Sequence, residues 1–373
     1  MHTCETPFGT LQLERYPATS NPTLQAFDAA DQYLLQATAK NPGTGAPPLV
    51  INDNFGTLSC ALAAQGPHSF TDSHLSSMAI RNNLAGNAFD AESVTIIDSQ
   101  SALQGPYDRV LLRIPKSLAL LEDQLVRLRP HLAEGAVVIA GAMIKHLPHS
   151  AGDLLAKYVG PYQASLAWKK ARLLTARFDS SLTPDTPALT TGYALPETGV
   201  QLTNLPGVFA RERIDIGTRA LLPCIPSELG AARIIDLGCG NGALGVMAAL
   251  RNPQASLTFV DESHAAVASA RLNYERALPS RPAEFIVSDG LTRLARGSAD
   301  LILCNPPFHQ QQVVGDEIAL RLFEQASIAL APDGALLVVG NRHLGYHVKL
   351  KRWFTRVEQL SATSKFVVLQ ASN

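Results

Sequence analysis

The stretch Arg233-Ile-Ile-Asp-Leu-Gly-Cys-Gly-Asn-Gly242 decides the fold. Ile234-Ile235-Asp236 reads as the end of an apolar strand, glycines follow at 238, 240 and 242, and Ala243 to Leu250 reads as a helix. A strand, a glycine-rich loop and a helix in that order let backbone approach a ligand closely, with the helix-start N–H groups pointing at it. Strand and helix patterns alternate along the rest of the chain, which predicts α/β architecture around a largely parallel sheet.

This stretch has an echo nearly two hundred residues earlier. Leu49-Val-Ile-Asn-Asp-Asn-Phe-Gly56 parallels Arg233–Gly240. Phe70-Thr-Asp-Ser-His with Arg81 and Asn83 parallels Phe259-Val-Asp-Glu-Ser-His with Arg271 and Asn273, allowing one residue of slip. Tyr107–Pro115 parallels Ala299–Pro307, and Gly135–Gly141 parallels Gly334–Gly340. Matched blocks in one order imply two copies of one α/β domain. The copies differ where chemistry would sit. The second carries Asp236-Leu-Gly-Cys-Gly-Asn-Gly242 and Asn305-Pro-Pro-Phe308, and the first carries Asn52-Asp-Asn-Phe-Gly56 and Arg113-Ile-Pro-Lys116. The first copy therefore reads as degenerate. Domains are expected over 1–180 and 207–373, with a Pro/Thr-rich linker over 181–206.

Composition agrees with two globular domains: 373 residues, 46% hydrophobic and 17% charged. Five cysteines without a CxxC pair argue against a disulfide framework and a structural zinc site, so no metal is expected. Met1 to Thr10 has no apolar run, and the longest apolar stretch, Val137 to Ile144, is too short to span a bilayer. The expectation is a cytoplasmic protein without a membrane partner. Net charge is −1, which gives no sign of a nucleic-acid partner. Charge is nevertheless clustered: Lys145 to Arg177 holds six Lys/Arg against one acid, and Arg342 to Arg356 holds five against none. Either cluster alone reads slightly better as a solvated helix face than as a docking surface.

The glycine loop alone leaves its ligand open: a pyrophosphate, an adenosyl group or none. The spacing Gly238-x-Gly240-x-x-Ala243 even fits a dinucleotide fingerprint, and hence a nicotinamide-linked dehydrogenase. Asp236 speaks against a pyrophosphate, because a carboxylate there repels phosphate and suits an ammonium group. Asp261 ends the next strand, where ribose hydroxyls can bind, and Asp289 ends a third, within reach of an adenine amine. Each acid alone is more simply a helix cap or turn residue. Three at successive strand ends favour a ligand crevice at the carboxyl edge of the sheet.

The strand Leu301–Cys304 runs into Asn305-Pro306-Pro307-Phe308. Two prolines stiffen the turn and remove two donors, which leaves a rigid display of carbonyls beside the Asn305 amide. Acceptors of that kind suit an –NH2 group. Hydrogen bonds from both its N–H groups to Asn305 Oδ1 and the Pro306 carbonyl would free a delocalised nitrogen lone pair. No strong base is needed, so the neighbouring His309 reads as a loop residue or a contact to the base. Phe308 could stack on a planar base, which would have to be single-stranded or flipped out.

Together Asp236–Gly242, Asp261, Asp289 and Asn305–Phe308 resemble a class I S-adenosylmethionine-dependent methyltransferase acting on exocyclic or amide nitrogen. A degenerate half before an active half resembles the bacterial ribosomal RNA guanine-N2 methyltransferases. Asn305-Pro-Pro-Phe-His-Gln-Gln-Gln312 and Gly340-Asn-Arg-His-Leu-Gly-Tyr-His-Val-Lys-Leu-Lys351 look most like the large-subunit branch. The resemblance implies two tandem Rossmann-like domains, each with a seven-stranded mixed sheet. It implies S-adenosylmethionine held by Asp236, Gly238, Gly240, Asn241, Asp261, Asp289 and Asn305. Phe209, Asp215 and Gly217 of the segment before the first strand would close over it. Asn305, Pro306, Pro307 and Phe308 would grip the guanine amine. Lys169, Lys170, Arg172, Arg342, His343, Lys349, Lys351 and Arg352 would meet phosphates of a 23S rRNA that is protein-free or early in assembly. A monomer is expected. The alternatives are the 16S rRNA enzyme, a methyltransferase for a protein amide or a DNA adenine, and a non-catalytic RNA binder.

Overall fold

A computed structural model describes residues 1–307 and 312–373. Two compact units, Met1–Leu189 and Thr190–Asn373, divide the chain. The first contains strands β1 (His2–Thr6), β2 (Gly9–Leu13), β3 (Leu49–Ile51), β4 (His68–Thr71), β5 (Thr95–Asp98), β6 (Tyr107–Arg113), β7 (Leu132–Met143), β8 (Tyr162–Ala164) and β9 (Ala171–Arg177). Its helices are α1 (Ala29–Ala39), α2 (Thr57–Ala61), α3 (His74–Gly86), α4 (Leu118–Leu128) and α5 (Ala151–Tyr158). The second contains β10 (Thr191–Ala194), β11 (Gln201–Asn204), β12 (Arg233–Leu237), β13 (Ser256–Asp261), β14 (Glu284–Val287), β15 (Ala299–Cys304), β16 (Leu330–Asn341), β17 (Arg356–Ala362) and β18 (Phe366–Ser372). Its helices are α6 (Ile216–Leu221), α7 (Ala243–Arg251), α8 (His264–Ala277), α9 (Gln312–Ala329) and α10 (Tyr346–Lys349).

Each unit is built on a seven-stranded sheet, ordered β5-β4-β3-β6-β7-β9-β8 in the first and β14-β13-β12-β15-β16-β18-β17 in the second. Five strands of each sheet are parallel, and β9 and β18 pair antiparallel with β7 and β16. Central strands such as Leu49-Val-Ile51 are buried along their whole length, as strands covered on both faces must be. Two apolar clusters flank each sheet, and Leu49 and Ile51 face one while Val50 faces the other. In the second unit Ile234 and Leu303 belong to one cluster and Ile235 and Ile302 to the other. Among the described residues no helix is long and apolar enough to cross a membrane.

The register corrects the sequence pairing of the two copies. Ile51 lies opposite Phe70 and Leu112, and Leu237 lies opposite Val260 and Cys304. Phe70 thus corresponds to Val260, not Phe259, and the slip vanishes. Ser73 and Ser263 cap α3 and α8 in the same way. Gly56 corresponds to Gly242, not Gly240. Both open a helix in the left-handed region, at φ +86° and +81°. A Cβ at Gly56 would lie 2.9 Å from Ile80 Cα, and one at Gly242 would lie 3.1 Å from Ala270 Cα. Close helix packing, not a ligand, requires this glycine in both copies.

The 181–206 stretch is not irregular throughout. β10 and β11 form an antiparallel hairpin, and Leu195 and Leu202 join the second unit's core. The hairpin is the counterpart of β1–β2, and one asparagine anchors each. Asn83 exchanges hydrogen bonds with both backbone groups of Glu14 and donates to the Phe55 carbonyl. Asn273 does the same with Thr203 (2.7 and 2.9 Å) and the Asn241 carbonyl (2.9 Å). Asn273 is fully buried, so Asn273→Ala strands three backbone groups and should cost roughly 2–3 kcal/mol in chemical denaturation. A loss under about 0.5 kcal/mol would show that the hairpin is held by other contacts.

Candidate active site

The carboxyl ends of β12, β13 and β15 bring the second unit's glycine loop and Asn-Pro-Pro turn together. Gly238 and Gly240 sit at φ +69° and +53°. Nothing lies within 4 Å of a Cβ built at either, so their free sides face open space that a ligand can enter. Asp261 holds the loop in this shape: Oδ2 accepts the Gly240 N–H at 2.9 Å and Oδ1 the Ser263 N–H at 3.0 Å. Asn241 donates to the Tyr193 hydroxyl at 2.8 Å and accepts the Ala243 N–H. One cleft is lined by Phe209, Asp215, Gly238, Gly240, Asn241 and Asn305, with Tyr193 and Thr218. Phe209 is 57% exposed at its rim. The segment before β12 is therefore part of the site.

Gly217, Asp289 and Asp236 are not among the residues that line this cleft. Gly217 is buried inside α6, and its N–H is held by the Asp215 cap, so it does not line the cleft. Asp289 is buried at the end of β14 and pairs with Arg321 of α9 at 2.7 Å. Asp236 lies beneath the loop, wholly buried, with Oδ2 accepting the Gly245 N–H at 2.8 Å. Its Oδ1 has no partner among the described residues. Burial pushes the Asp236 carboxyl up to about 8 from an ordinary 3.8, and the Asp261 charge adds to the rise. Burial likewise raises the Cys239 thiol well above its ordinary range, so it is not a thiolate nucleophile.

Asn305 is fixed from behind. Its Nδ2 donates to Asp215 Oδ2 at 3.1 Å and to Thr218 Oγ1 at 2.9 Å. A carboxylate only accepts, so the amide edge facing Asp215 must be the NH2 edge. Oδ1 points the other way, buried and without a partner among the described residues. Pro306 is buried and Pro307 exposed. Phe308 and His309 lie outside the described residues. Thr218, Tyr193 and Arg321 were not singled out in the sequence. Asp215-x-x-Thr218 carries a helix-cap spacing, but its partner is 87 positions away.

The first unit holds different chemistry at the same positions. Asn52, φ +63°, replaces Gly238, and its amide exchanges hydrogen bonds with Gln124 and donates to the Arg113 carbonyl. Arg113 replaces Asn305 and pairs with Asp28 (2.7 Å) and Asp31 (2.9 Å), the counterparts of Asp215 and Thr218. The cleft's equivalents are thus bonded to one another.

Of the basic residues, Lys169 and Lys170 are exposed at the turn before β9, Lys169 over the Trp168 ring, and Arg172 is half-buried. Arg342, His343, Lys351 and Arg352 are exposed after β16, whereas Lys349 is held by Asp316 at 2.9 Å.

The doubly wound sheet, open glycine loop and strand-end Asn-Pro-Pro turn define an S-adenosylmethionine-dependent methyltransferase. Residues 1–180 match the RLMG N-terminal domain and residues 199–370 the methyltransferase small domain. The chain is 55% identical to a Stutzerimonas stutzeri protein and 54% identical to a Pseudomonas aeruginosa protein, each covered over 98% of both chains. Both are named ribosomal RNA large subunit methyltransferase G, and this chain belongs to that family. A solved T. thermophilus 16S rRNA N2 methyltransferase, in complex with AdoMet and guanosine, has the same fold throughout. Its TM-score is 0.77 over 100% of this chain and 97% of that one, at 21% identity.

The raised Asp236 carboxyl gives a test. The native protein keeps a proton there between about pH 4 and 8 that the unfolded chain releases, so this group's stability contribution is present at low pH and lost as pH rises through that window. Ligand-free wild type should therefore lose stability relative to Asp236→Asn between about pH 4 and pH 8. A difference in stability that stays constant across that range would place the carboxyl in its ordinary range.

Proposed function

We propose that the chain transfers a methyl group from S-adenosylmethionine to the exocyclic N2 amine of a guanine in large-subunit (23S) rRNA, in the bacterial cytoplasm. The observation that carries this is the Asn305 Oδ1, buried, unsatisfied among the described residues and beside the open glycine loop. Gly238, Gly240 and Asn241 would line the methionine end of the donor, and Asp236 would receive its ammonium, which draws the carboxyl back to its charged form. Asp261 and Asp289 would face the ribose and adenine, with Phe209 closing the rim. The donor supplies an electrophilic methyl on a sulfonium.

The chain's own part is to shape the nucleophile. Asn305 Oδ1 and the Pro306 carbonyl accept the two amine N–H groups and draw the nitrogen toward tetrahedral geometry. As the N–C bond forms, the S–C bond breaks and its electron pair stays on sulfur. The nitrogen then loses one proton to solvent, so no strong base is required. Phe308, outside the described residues, is assigned to stacking on the base. The first unit is proposed to recognise RNA through Lys169, Lys170 and Arg172, and the chain to act as a monomer on protein-free or early-assembly rRNA.

The test is transfer of a labelled methyl to protein-free and assembled large and small subunit rRNA from cells lacking this protein. Label on large-subunit rRNA, recovered as N2-methylguanosine, is expected, and Asn305→Ala should lower the rate about 100-fold or more. Label on the small subunit would move the substrate, and none on any acceptor would overturn the assignment. Arg342→Ala, Lys351→Ala and Arg352→Ala combined should weaken RNA binding and lower its salt slope by about three. Lys349→Ala, whose ammonium is already held by Asp316, should change that slope little. Equal effects from the two sets would remove these cations from the RNA surface.

A further inference from the structure

We infer that Asp215 and Thr218 are positioning residues for methyl transfer: they lock the Asn305 amide so that Oδ1 alone is presented to the amine. The inference rests on the transferase reading above and adds two residues to it. An asparagine amide is nearly symmetric in shape, and a half-turn exchanges acceptor for donor. A donor at this position would meet the amine N–H groups head-on and leave the nucleophile ungripped. The chain removes that choice. Asp215 Oδ2 accepts from Asn305 Nδ2, from the Gly217 N–H (2.8 Å) and from the Thr218 N–H (3.2 Å). The carboxylate is itself fixed by the first turn of α6, so the amide it orients cannot drift. Thr218 Oγ1 takes the second Nδ2 hydrogen. With both N–H bonds spent on acceptors, one of them ionised, the amide oxygen becomes the stronger acceptor. It faces a nitrogen that gains positive charge as the methyl arrives.

The degenerate unit supports the assignment by contrast. Asp28 caps α1 as Asp215 caps α6, and Asp31 stands where Thr218 does. The scaffold of the clamp survives there, but it holds the Arg113 guanidinium, a group with five donors and no acceptor. A cap alone would need neither the threonine nor the amide. Thr218 uses its hydroxyl on Asn305 rather than on its own helix.

Single-turnover methyl transfer tests this, with donor affinity and the rRNA KM measured alongside. Thr218→Val should lower kcat about tenfold, with donor Kd and rRNA KM within about twofold, and Thr218→Ser should restore the rate. Asp215→Ser keeps a good helix cap but is too short to reach Asn305, so it should lose at least as much kcat at an unchanged thermal midpoint. The decisive readout is coupling: in an Asn305→Ala background Thr218→Val should have no further effect, because it acts only through that amide. If Thr218→Val does not fold, Thr218→Ala replaces it. A kcat within twofold of wild type, an equal loss of donor affinity, or an additive effect on Asn305→Ala would overturn the inference. Absence of transfer by wild type itself would instead overturn the transferase reading.

Discussion

One carboxylate oxygen ties the site together. Asp215 Oδ2 accepts the first N–H groups of α6 and the amide of Asn305, 90 positions later in the chain. A carboxylate has no hydrogen to donate, so every group around it must present one. That rule fixes where α6 begins, which edge of the amide faces inward and which atom is left to meet a substrate. The stiffness of the two prolines after Asn305 matters only because this contact sets the direction they hold. The glycine loop needs the same help from Asp261, whose two oxygens hold the Gly240 and Ser263 N–H groups. Acids at strand ends serve here first as clamps on the backbone that lines the cleft.

The duplication shows how little must change to close such a site. Both units keep the sheet order, the glycine where two helices touch, and the helix asparagine that anchors a hairpin. At the positions of the cleft the side chains differ. Asn52 stands in for a ligand-facing glycine and bonds to Gln124, and Arg113 stands in for Asn305 and binds two aspartates. A half-buried arginine between two carboxylates stabilises the unit only while its partners remain. It leaves no acceptor for an amine and no open backbone for a donor.

The sequence reveals features whose cause is local. Glycines at 238 and 240, acids at strand ends and Asn-Pro-Pro are each visible because a few adjacent residues dictate the backbone. The α/β class follows from the alternation of strand and helix patterns, whereas the seven-stranded plan is legible only through the resemblance to the methyltransferases. What stays hidden depends on distant partners. The β10–β11 hairpin lies in a Pro/Thr-rich stretch that reads as linker, because its anchor Asn273 is 70 positions away. Thr218 carries no sign of its role, which exists only where α6 meets the end of β15. Gly56 pairs by eye with Gly240, since spacing from the strand looks the same. The true partner, Gly242, is set by contact with α8. Gly217 reads as part of the ligand segment and sits in the first turn of α6, where its N–H is held by the Asp215 cap.

Of two like folds in this chain, one keeps an open donor site and the other has bonded its own shut. Calorimetric titration of the full chain with S-adenosylmethionine tests this directly. A single binding event with one donor per chain is expected, unaffected by Arg113→Ala and abolished by bulky substitution of Gly240. Two donors per chain, or binding that survives loss of the Gly240 loop, would contradict it.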